Sequence, residues 1–385
     1  MLRNIKRSIV RKVSGRRWNP GNPMDTFAFI IHPIDPKRDV SRKFPFLGSV
    51  LTERQIDFFS TFFPPVYISE IEGITSVATG KQVTGWFIAA PYTPRRMLEL
   101  PERIVYRKII QTGRMAERLG ARMLGLGAFT SVIGDAGVTI ARSLDVPVTT
   151  GDAYTISIAV QAIREAACQM DIPLREATAA IVGASGTIGR VCAELLVEDV
   201  SRLYLIGRSE GPLLELREQL SGPGRGELIV STKMDVLAEA QLILTVTSAV
   251  HDVIQPEHLL PGSVVCDVAR PRDVSAMVAA TRDDILVIDG GMVDVPGPVD
   301  FHFNFGFPPG KSYACMAETI ALALEGRFED YTLGKHITRE RVDEITAIAD
   351  KHGFRLSGFR SFEREVTPQQ IEAVRQNARK RARRE

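Results

Sequence analysis

The sequence predicts an α/β protein: a Rossmann-type parallel sheet domain, preceded by an N-terminal α/β domain and followed by helices. Three observations carry this. From about residue 178, short apolar β-rich runs alternate with helical periodicity and turn residues, the pattern of parallel strands joined by crossover helices. Within that stretch, Gly183-Ala-Ser-Gly186-Thr-Ile-Gly189 sits between the apolar run 179–182 and a helix starting near 187. A phosphate-binding turn belongs there. The length of 385 residues argues for two or three domains.

The first ordered element is expected at 26–31, a short apolar run rich in β-formers, with further strands at 66–71 and 83–90 and a long helix at 101–119. A helix from about 151 to 170 follows, with Ile156, Val160, Ile163 and Ala167 on one face. Strand 178–183, helix 187–198, strand 202–207, helix 211–220 and strands at 227–231, 241–246, 262–267 and 284–289 make up the parallel unit. Beyond Gly290-Gly291 an irregular Pro/Phe-rich stretch leads to helices at about 312–325 and 338–352, and the last twenty or so residues read as a polar helix or tail. The expected division is 1–25 basic extension, disordered; 26–150 N-terminal substrate domain; 151–300 nucleotide-binding domain; 301–357 a C-terminal helical segment; and 358–385 a polar basic tail.

The formal net charge of +2 is unevenly spread. Residues 1–17 carry seven bases and no acid, and 379–385 carry five bases and one acid, so the body between them is left at −9. The head has two readings: a solvated extension, or a short amphipathic helix (Leu2, Ile5, Ile9, Val13) that touches anionic lipid or an acidic partner. No apolar run approaches the roughly 18 to 20 residues of a spanning helix. The four cysteines, Cys168, Cys192, Cys266 and Cys315, show no C-x-x-C pairing. They give no disulfide framework or zinc site, and a reducing cytoplasm is the expected setting, with membrane association through the head the alternative. No metal and no nucleic-acid partner is expected.

The three glycines of the turn meet three separate needs, namely a tight turn, close approach to a pyrophosphate, and close packing of helix on strand. Gly183, Ser185, Gly186, Thr187, Ile188 and Gly189 are therefore the expected dinucleotide contacts, with backbone N–H groups at the helix start holding the anion. The next strand ends at Gly207-Arg208-Ser209, where an NAD enzyme places an acid for the ribose hydroxyls. Arg208, with Ser209 as a second donor, suits a 2′-phosphate instead and favours NADPH; the alternative is a surface arginine. Thr247 and Ser248, closing a later strand, are candidates on the nicotinamide side.

Ser312 reads as an N-cap that puts Cys315 in the first helical turn, where free N–H groups, the helix dipole and Lys311 would favour thiolate. A thiolate attacks acyl groups; a buried structural cysteine is the alternative, and Cys168, Cys192 and Cys266 fit that description. Phe301, Phe303, Phe305 and Phe307 alternate, so an extended segment would turn them to one face, as a lipid wall or as core. The cluster Phe58-Phe-Ser-Thr-Phe-Phe-Pro-Pro65 has the same two readings.

Taken in order, Leu126-Gly-Ala-Phe-Thr-Ser-Val132, Thr149-Thr-Gly151, the stretch from Ala177 to the glycine turn, Asp289-Gly-Gly291 and Tyr313-Ala-Cys-Met-Ala-Glu318 resemble the cyanobacterial-type long-chain acyl-[acyl-carrier-protein] reductases, which form fatty aldehydes. The resemblance runs from about Phe27 to Phe354. It implies that Cys315 is the nucleophile, that an acyl-enzyme is reduced by NADPH to an aldehyde, and that the first domain binds the acyl chain. The acyl thioester would be carried on acyl carrier protein or coenzyme A. Glu318, one turn from Cys315, and His302 are the candidate general acids, while His32 and His302 have the alternative reading of structural histidines. Two other functions stand beside it: an NADP-dependent dehydrogenase of a small alcohol or ketone, like shikimate dehydrogenase, which has no need of Cys315, and a non-catalytic NADPH-binding sensor.

Overall fold

A computed structural model describes residues 24–249 and 251–383. The basic head, with its two readings, lies outside the described residues. Two sheets organise the rest. The first contains β1 (Asp25–Ile31), β2 (Val66–Thr75), β3 (Gln82–Ala89), β4 (Leu124–Leu126) and β5 (Val148–Thr149), in the order β2-β3-β1-β4-β5. β2 runs antiparallel to β3, and the other pairs are parallel. β1 is a continuous apolar run because both its faces are covered. Its alternation sends Phe27 and Phe29 into the central core, and Ala28 and Ile30 into a second core shared with Val105 and Ile109. β2 continues past the expected residue 71, since a register shift between Ile71 and Ile74 absorbs Gly73 without ending the strand.

Between β1 and β2 lie three short helices that the apolar periodicity does not announce: α1 (Pro36–Lys43), α2 (Pro45–Val50) and α3 (Glu53–Ser60). Their signals are at their starts. Asp35 caps Arg38 N–H and Thr52 forms a capping box with Gln55, while prolines open α1 and α2. α4 (Glu102–Leu119) covers the outer face of the first sheet, and α5 (Asp152–Gln169) leads out of β5 toward the second.

The second sheet is wholly parallel: β6 (Thr178–Val182), β7 (Arg202–Ile206), β8 (Glu227–Ser231), β9 (Leu242–Thr245), β10 (Val264–Asp267) and β11 (Leu286–Ile288), in the order β11-β10-β9-β6-β7-β8. Counted from its own first strand this is 3-2-1-4-5-6, the doubly wound arrangement that the alternation of strands and helices predicts. α6 (Thr187–Leu196) follows β6, and the chain reverses direction across the sheet between β6 and β9, opening a crevice at their carboxyl ends.

After the second sheet the chain returns to the first. α7 (Ala314–Glu325) packs on β1, β3 and β4 and against α5 and α8 (Arg339–His352). One core therefore passes from Phe27 and Phe87 through α5 and α7 to Ile181 and Leu244. The C-terminal stretch is a docked helix, α9 (Pro368–Ala382), capped by Thr367 and Gln370 and anchored by buried Ile371 and Ala378. Of the four alternating phenylalanines, Phe301 stacks on Phe87 with ring centres 5.8 Å apart, and Phe305 meets Phe87 edge-on at 5.2 Å. Positive φ at His302 and Gly306 breaks the extended geometry expected for this stretch, yet the rings still gather: Phe305 lies 5.0 Å from Phe301 and 5.4 Å from Phe307, and Phe303 is 6.5 Å from Phe87. Truncating Phe87 to Ala removes the ring on which the 301–305 segment rests. It is expected to cost about 3–5 kcal/mol, read as a lower urea midpoint at unchanged slope.

Candidate active site

A single cavity of about 1300 Å³ runs from the crevice of the second sheet, past the start of α7, to the helices over the first sheet. Its first limb is the glycine turn. Gly183 leaves β6 with φ +87°, and a Cβ on Gly189 would lie 2.2 Å from the Gly183 carbonyl oxygen, so only glycine lets α6 start this close to the strand. α6 has no side-chain cap, which leaves its first N–H groups for an anion. Gly183, Ser185, Gly186, Thr187 and Ile188 line this limb, with Arg208 beyond the end of β7. Among the described residues Arg208 makes no ion pair or hydrogen bond, so its guanidinium is available. This turn has the form of a phosphate-binding turn, with an uncapped helix start facing a cavity.

Not every expected contact faces the cavity. Gly189 packs behind the lining, and Ser209 stands at the N-cap position of the next helix, outside it. Thr247 and Ser248 do line it, but the Thr247 hydroxyl is committed: it donates to Asp273 Oδ1 at 2.5 Å, while its N–H donates to Oδ2 at 2.9 Å. Thr247 thus shapes the wall, and Ser248 is left as the hydroxyl of that pair.

The middle of the cavity is Cys315. It lies in the first turn of α7 as expected, but Ser312 is not the cap. Lys311–Ser312 pairs as a short strand with Val293–Asp294, which moves the N-cap position to Tyr313, with no side-chain bond. The expected thiolate is also corrected. Burial, then the carboxyls of Asp152 and Glu318, push the thiol up to about 12, so the resting form is SH. The N–H groups of Ala128 and Met316 lie against the sulfur and oppose that shift. Lys311 does not help, because its ammonium is held by Asp294 and Ser357. Cys192 and Cys266 are buried and inert as expected, whereas Cys168 is exposed.

Close packing sets the position of Cys315. Gly151 has φ +78°, and a Cβ there would fall 2.3 Å from Cys315 Cα and 2.4 Å from its Cβ. Glu318 locks this contact. Its Oε1 accepts from the Thr149 hydroxyl at 2.5 Å and the Thr332 hydroxyl at 2.7 Å, and its Oε2 accepts the Tyr154 N–H at 2.9 Å. Fully buried and outside the cavity lining, Glu318 is a positioning residue and not the acid its sequence spacing suggested. His302 is exposed, beside Asp300 and Glu72, and likewise lies outside the cavity lining. His32 does line the cavity, and its Nε2 accepts the Phe129 N–H at 3.0 Å. Burial lowers it to about 4, so it is a neutral histidine holding the loop that aims Ala128 N–H at the sulfur.

Asp152, the first residue of α5, faces the same cavity, and sequence reasoning did not single it out. The segments that carry the family resemblance converge here. Gly127 to Phe129, Thr150, Gly290, Gly291 and Tyr313 all line the cavity. The last limb is apolar, with α1, α2 and α3 contributing Val40, Phe44, Leu47, Ile56, Phe59 and Phe63 nearby, and Phe303 and Phe305 forming the wall toward Cys315. The Phe58 cluster therefore divides: all four rings are exposed, but Phe59 and Phe63 also line the cavity, while Phe58 and Phe62 lie outside it. Arg38 of α1 pairs with Glu363 at 2.7 Å and ties this roof to the C-terminal hairpin.

The chain is similar in part to several known proteins. Residues 164–289 match the shikimate/quinate 5-dehydrogenase family model, a span within the second sheet and its approach helix. The chain is 34% identical over 303 residues to aminotransferase PigE of a Serratia species, covering 77% of this chain but only 35% of that protein; it spans about a third of that relative's length. It is 29% identical over 336 residues to the long-chain acyl-[acyl-carrier-protein] reductase of Synechococcus elongatus, covering 83% of this chain and 95% of that one. Among solved structures, L-tryptophan dehydrogenase from Nostoc punctiforme aligns over 94% of this chain and 90% of its own at 14% identity and a TM-score of 0.40. Quinate dehydrogenase from Corynebacterium glutamicum, solved with NAD, aligns over 85% and 98% at 13% identity and a TM-score of 0.37. Sheet order, glycine turn and sequence relatives together define the class as a Rossmann-type NAD(P)-dependent oxidoreductase. Among the described residues no helix is long and apolar enough to cross a membrane.

Glu318→Ala would leave three donors buried without an acceptor. The expected cost is roughly 3 kcal/mol or more in chemical denaturation, with faster iodoacetamide labelling of Cys315 as the contact with Gly151 loosens.

Proposed function

We propose that this chain reduces a long-chain acyl thioester to an aldehyde with NADPH, through an acyl group held on Cys315. The observation that carries the reading is the place of Cys315 at the junction of the cavity: the glycine cradle lies on one side and a limb lined by apolar and aromatic side chains on the other. A thiol so placed can hold an acyl carbon within reach of both. The bound nicotinamide dinucleotide would supply hydride to that carbon. The rest is the protein's own work. Gly183, Gly186 and the start of α6 hold the pyrophosphate, Arg208 the 2′-phosphate, and Ser248 borders the nicotinamide side.

The Phe303 and Phe305 wall and the side chains of α1 to α3 bury the chain, which favours long acyl groups at about 0.8 kcal/mol for each buried methylene. The Ala128 and Met316 N–H groups are the donors available to the carbonyl oxygen as it gains charge. Lys335, exposed and part of the cavity lining, is a basic residue suited to the phosphates of coenzyme A or the acidic surface of a carrier protein, whereas Arg42 is paired with Asp39 and Glu363 and Lys43 donates to the Ile68 carbonyl. The resemblance to the Synechococcus reductase along almost its whole length supports the same reaction.

The second reading, a dehydrogenase of a small hydroxy compound, is favoured by the family model over residues 164–289. It accounts for the nucleotide limb but gives no role to Cys315 or to the apolar limb. Intact mass after incubation with palmitoyl-coenzyme A or palmitoyl carrier protein, without nucleotide, separates the two. An added acyl group on wild type and none on Cys315→Ala is expected, together with loss of aldehyde formation in the variant. Aldehyde output that survives Cys315→Ala sinks the acyl-enzyme. For the nucleotide, Arg208→Ala is expected to weaken NADPH binding about tenfold or more and leave NADH nearly unchanged, measured by fluorescence titration.

A further inference from the structure

We propose that Asp152 is the proton acceptor for the Cys315 thiol in acyl transfer, and the donor that returns a proton to the same sulfur when the aldehyde leaves. The inference rests on the acyl-thioester reading above and adds to it the residue that manages the proton. Three observations point to it.

The first is position. Gly151 packs on the Cα and Cβ of Cys315, so the next residue, opening α5, stands beside the thiol, and the Asp152 and Cys315 side chains line the same cavity. The second is need. Cys315 rests as a neutral thiol, and the N–H groups against its sulfur do not offset its burial, so attack on a thioester requires a base at hand. The third is the division of labour between two carboxyls. Glu318 holds three donors in place and does not line the cavity, and burial pushes its carboxyl up too. Asp152 does line it. Its side-chain hydrogen-bond partner is the Thr150 hydroxyl, which opposes its rise and also lies 2.9 Å from the Thr332 carbonyl oxygen. Of the two carboxyls only Asp152 is open to the cavity, so only it can exchange a proton with solvent and a bound thioester. Burial, followed by the nearby Glu318 charge, raises Asp152 to about 7, which suits an acid and base working near neutrality.

The titratable or charged groups facing this point are Cys315 and Glu318 from α7, His32 from the end of β1, and Lys335 and His336 on the cavity wall. His32 is not a rival base, since its Nε2 already accepts the Phe129 N–H and burial disfavours its cation.

The proton count closes. In the first half the Cys315 S–H bond breaks and the proton goes to Asp152. The sulfur bonds to the acyl carbon, the bond from that carbon to the carrier sulfur breaks, and Asp152 protonates the departing thiolate. In the second half, after hydride from the reduced nicotinamide has reached the acyl carbon, the carbon–sulfur bond to Cys315 breaks. Its electron pair stays on sulfur, the aldehyde leaves, and Asp152, recharged from solvent, returns a proton to Cys315. One hydride and one proton are consumed for each aldehyde.

The test is the pH profile of Cys315 acylation by palmitoyl-coenzyme A without nucleotide, followed by intact mass from pH 5.5 to 9, beside iodoacetamide alkylation of the same cysteine. In wild type the acylation rate should rise with pH through an inflection near 7. Asp152→Asn should lose that inflection and acylate about 100-fold more slowly at pH 7.5. Its alkylation should be faster than wild type across this pH range, because a negative charge beside the sulfur is gone. The two readouts move in opposite directions only if the carboxylate takes the proton. A purely electrostatic carboxylate predicts faster acylation in Asp152→Asn, and acylation at or above the wild-type rate overturns the proposal. If Asp152→Asn does not fold, Asp152→Glu decides: it should keep a pH inflection, and a flat profile overturns the assignment. Wild-type protein that takes up no acyl group from either carrier ends the acyl-thioester reading itself, an outcome distinct from failure of Asp152 alone.

Discussion

Glu318 accepts three hydrogen bonds from Thr149, Thr332 and the Tyr154 backbone, and in doing so binds the end of β5, the start of α5 and the loop after α7 to the helix that carries Cys315. The contact is buried, and three of the carboxylate's roughly four acceptor positions are used toward donors that have little access to water. Such a cluster favours one arrangement over all looser ones, because any separation strands buried polar groups. With that clamp in place Gly151 can meet Cys315 at a distance no other residue permits. Cys315 then faces the space between the nucleotide crevice and the apolar limb. Without the clamp there would be two half-sites and no junction.

The same compactness governs the electrostatics. A cysteine in the first turn of a helix gains from the helix dipole, and that effect pulls toward thiolate. Here it is outweighed by desolvation and by two carboxyls nearby. The result is a thiol that rests neutral, and a neutral thiol is less open to oxidation and alkylation than a thiolate. The cost is that its activation has to be supplied locally. His32 contributes only indirectly, through the loop that aims Ala128 N–H at the sulfur, and Ala128 holds φ +46° to do so.

Much of the architecture was legible in the sequence because it rests on local rules. The second sheet follows from apolar runs with turn residues between them, and the glycine turn from glycine spacing after a strand. The placement of α7 and α8 follows from helical periodicity. Helices α1 to α3 were not legible. Each is only six to eight residues long, too short for periodicity to register, and their caps became meaningful only with a cavity beneath them. At the site, Cys315 and the glycines could be named from local pattern. The roles of Glu318, His302 and Lys311 could not, because proximity along the chain says nothing of which face of a helix or which partner a charge finds. Asp152 escaped notice for the same reason: what distinguishes it is the cysteine 163 positions away, brought close only by the return of α7 to the first sheet.

The core shared between the sheets also sets how the protein can move. Two-domain enzymes commonly admit ligands by hinging one domain away from the other. Here Phe27, Phe87, Ile181 and Leu244 belong to one apolar body that passes through α5 and α7. Opening the cleft along that line would wet it, at a free-energy cost comparable to the whole stability of a domain. The part of the lining outside that body is the roof of α1 to α3, pinned at one side by Arg38 and Glu363. On the proposed reaction a long chain would enter and an aldehyde leave past this roof, as a local event at the surface, and Cys315 would stay where the core holds it.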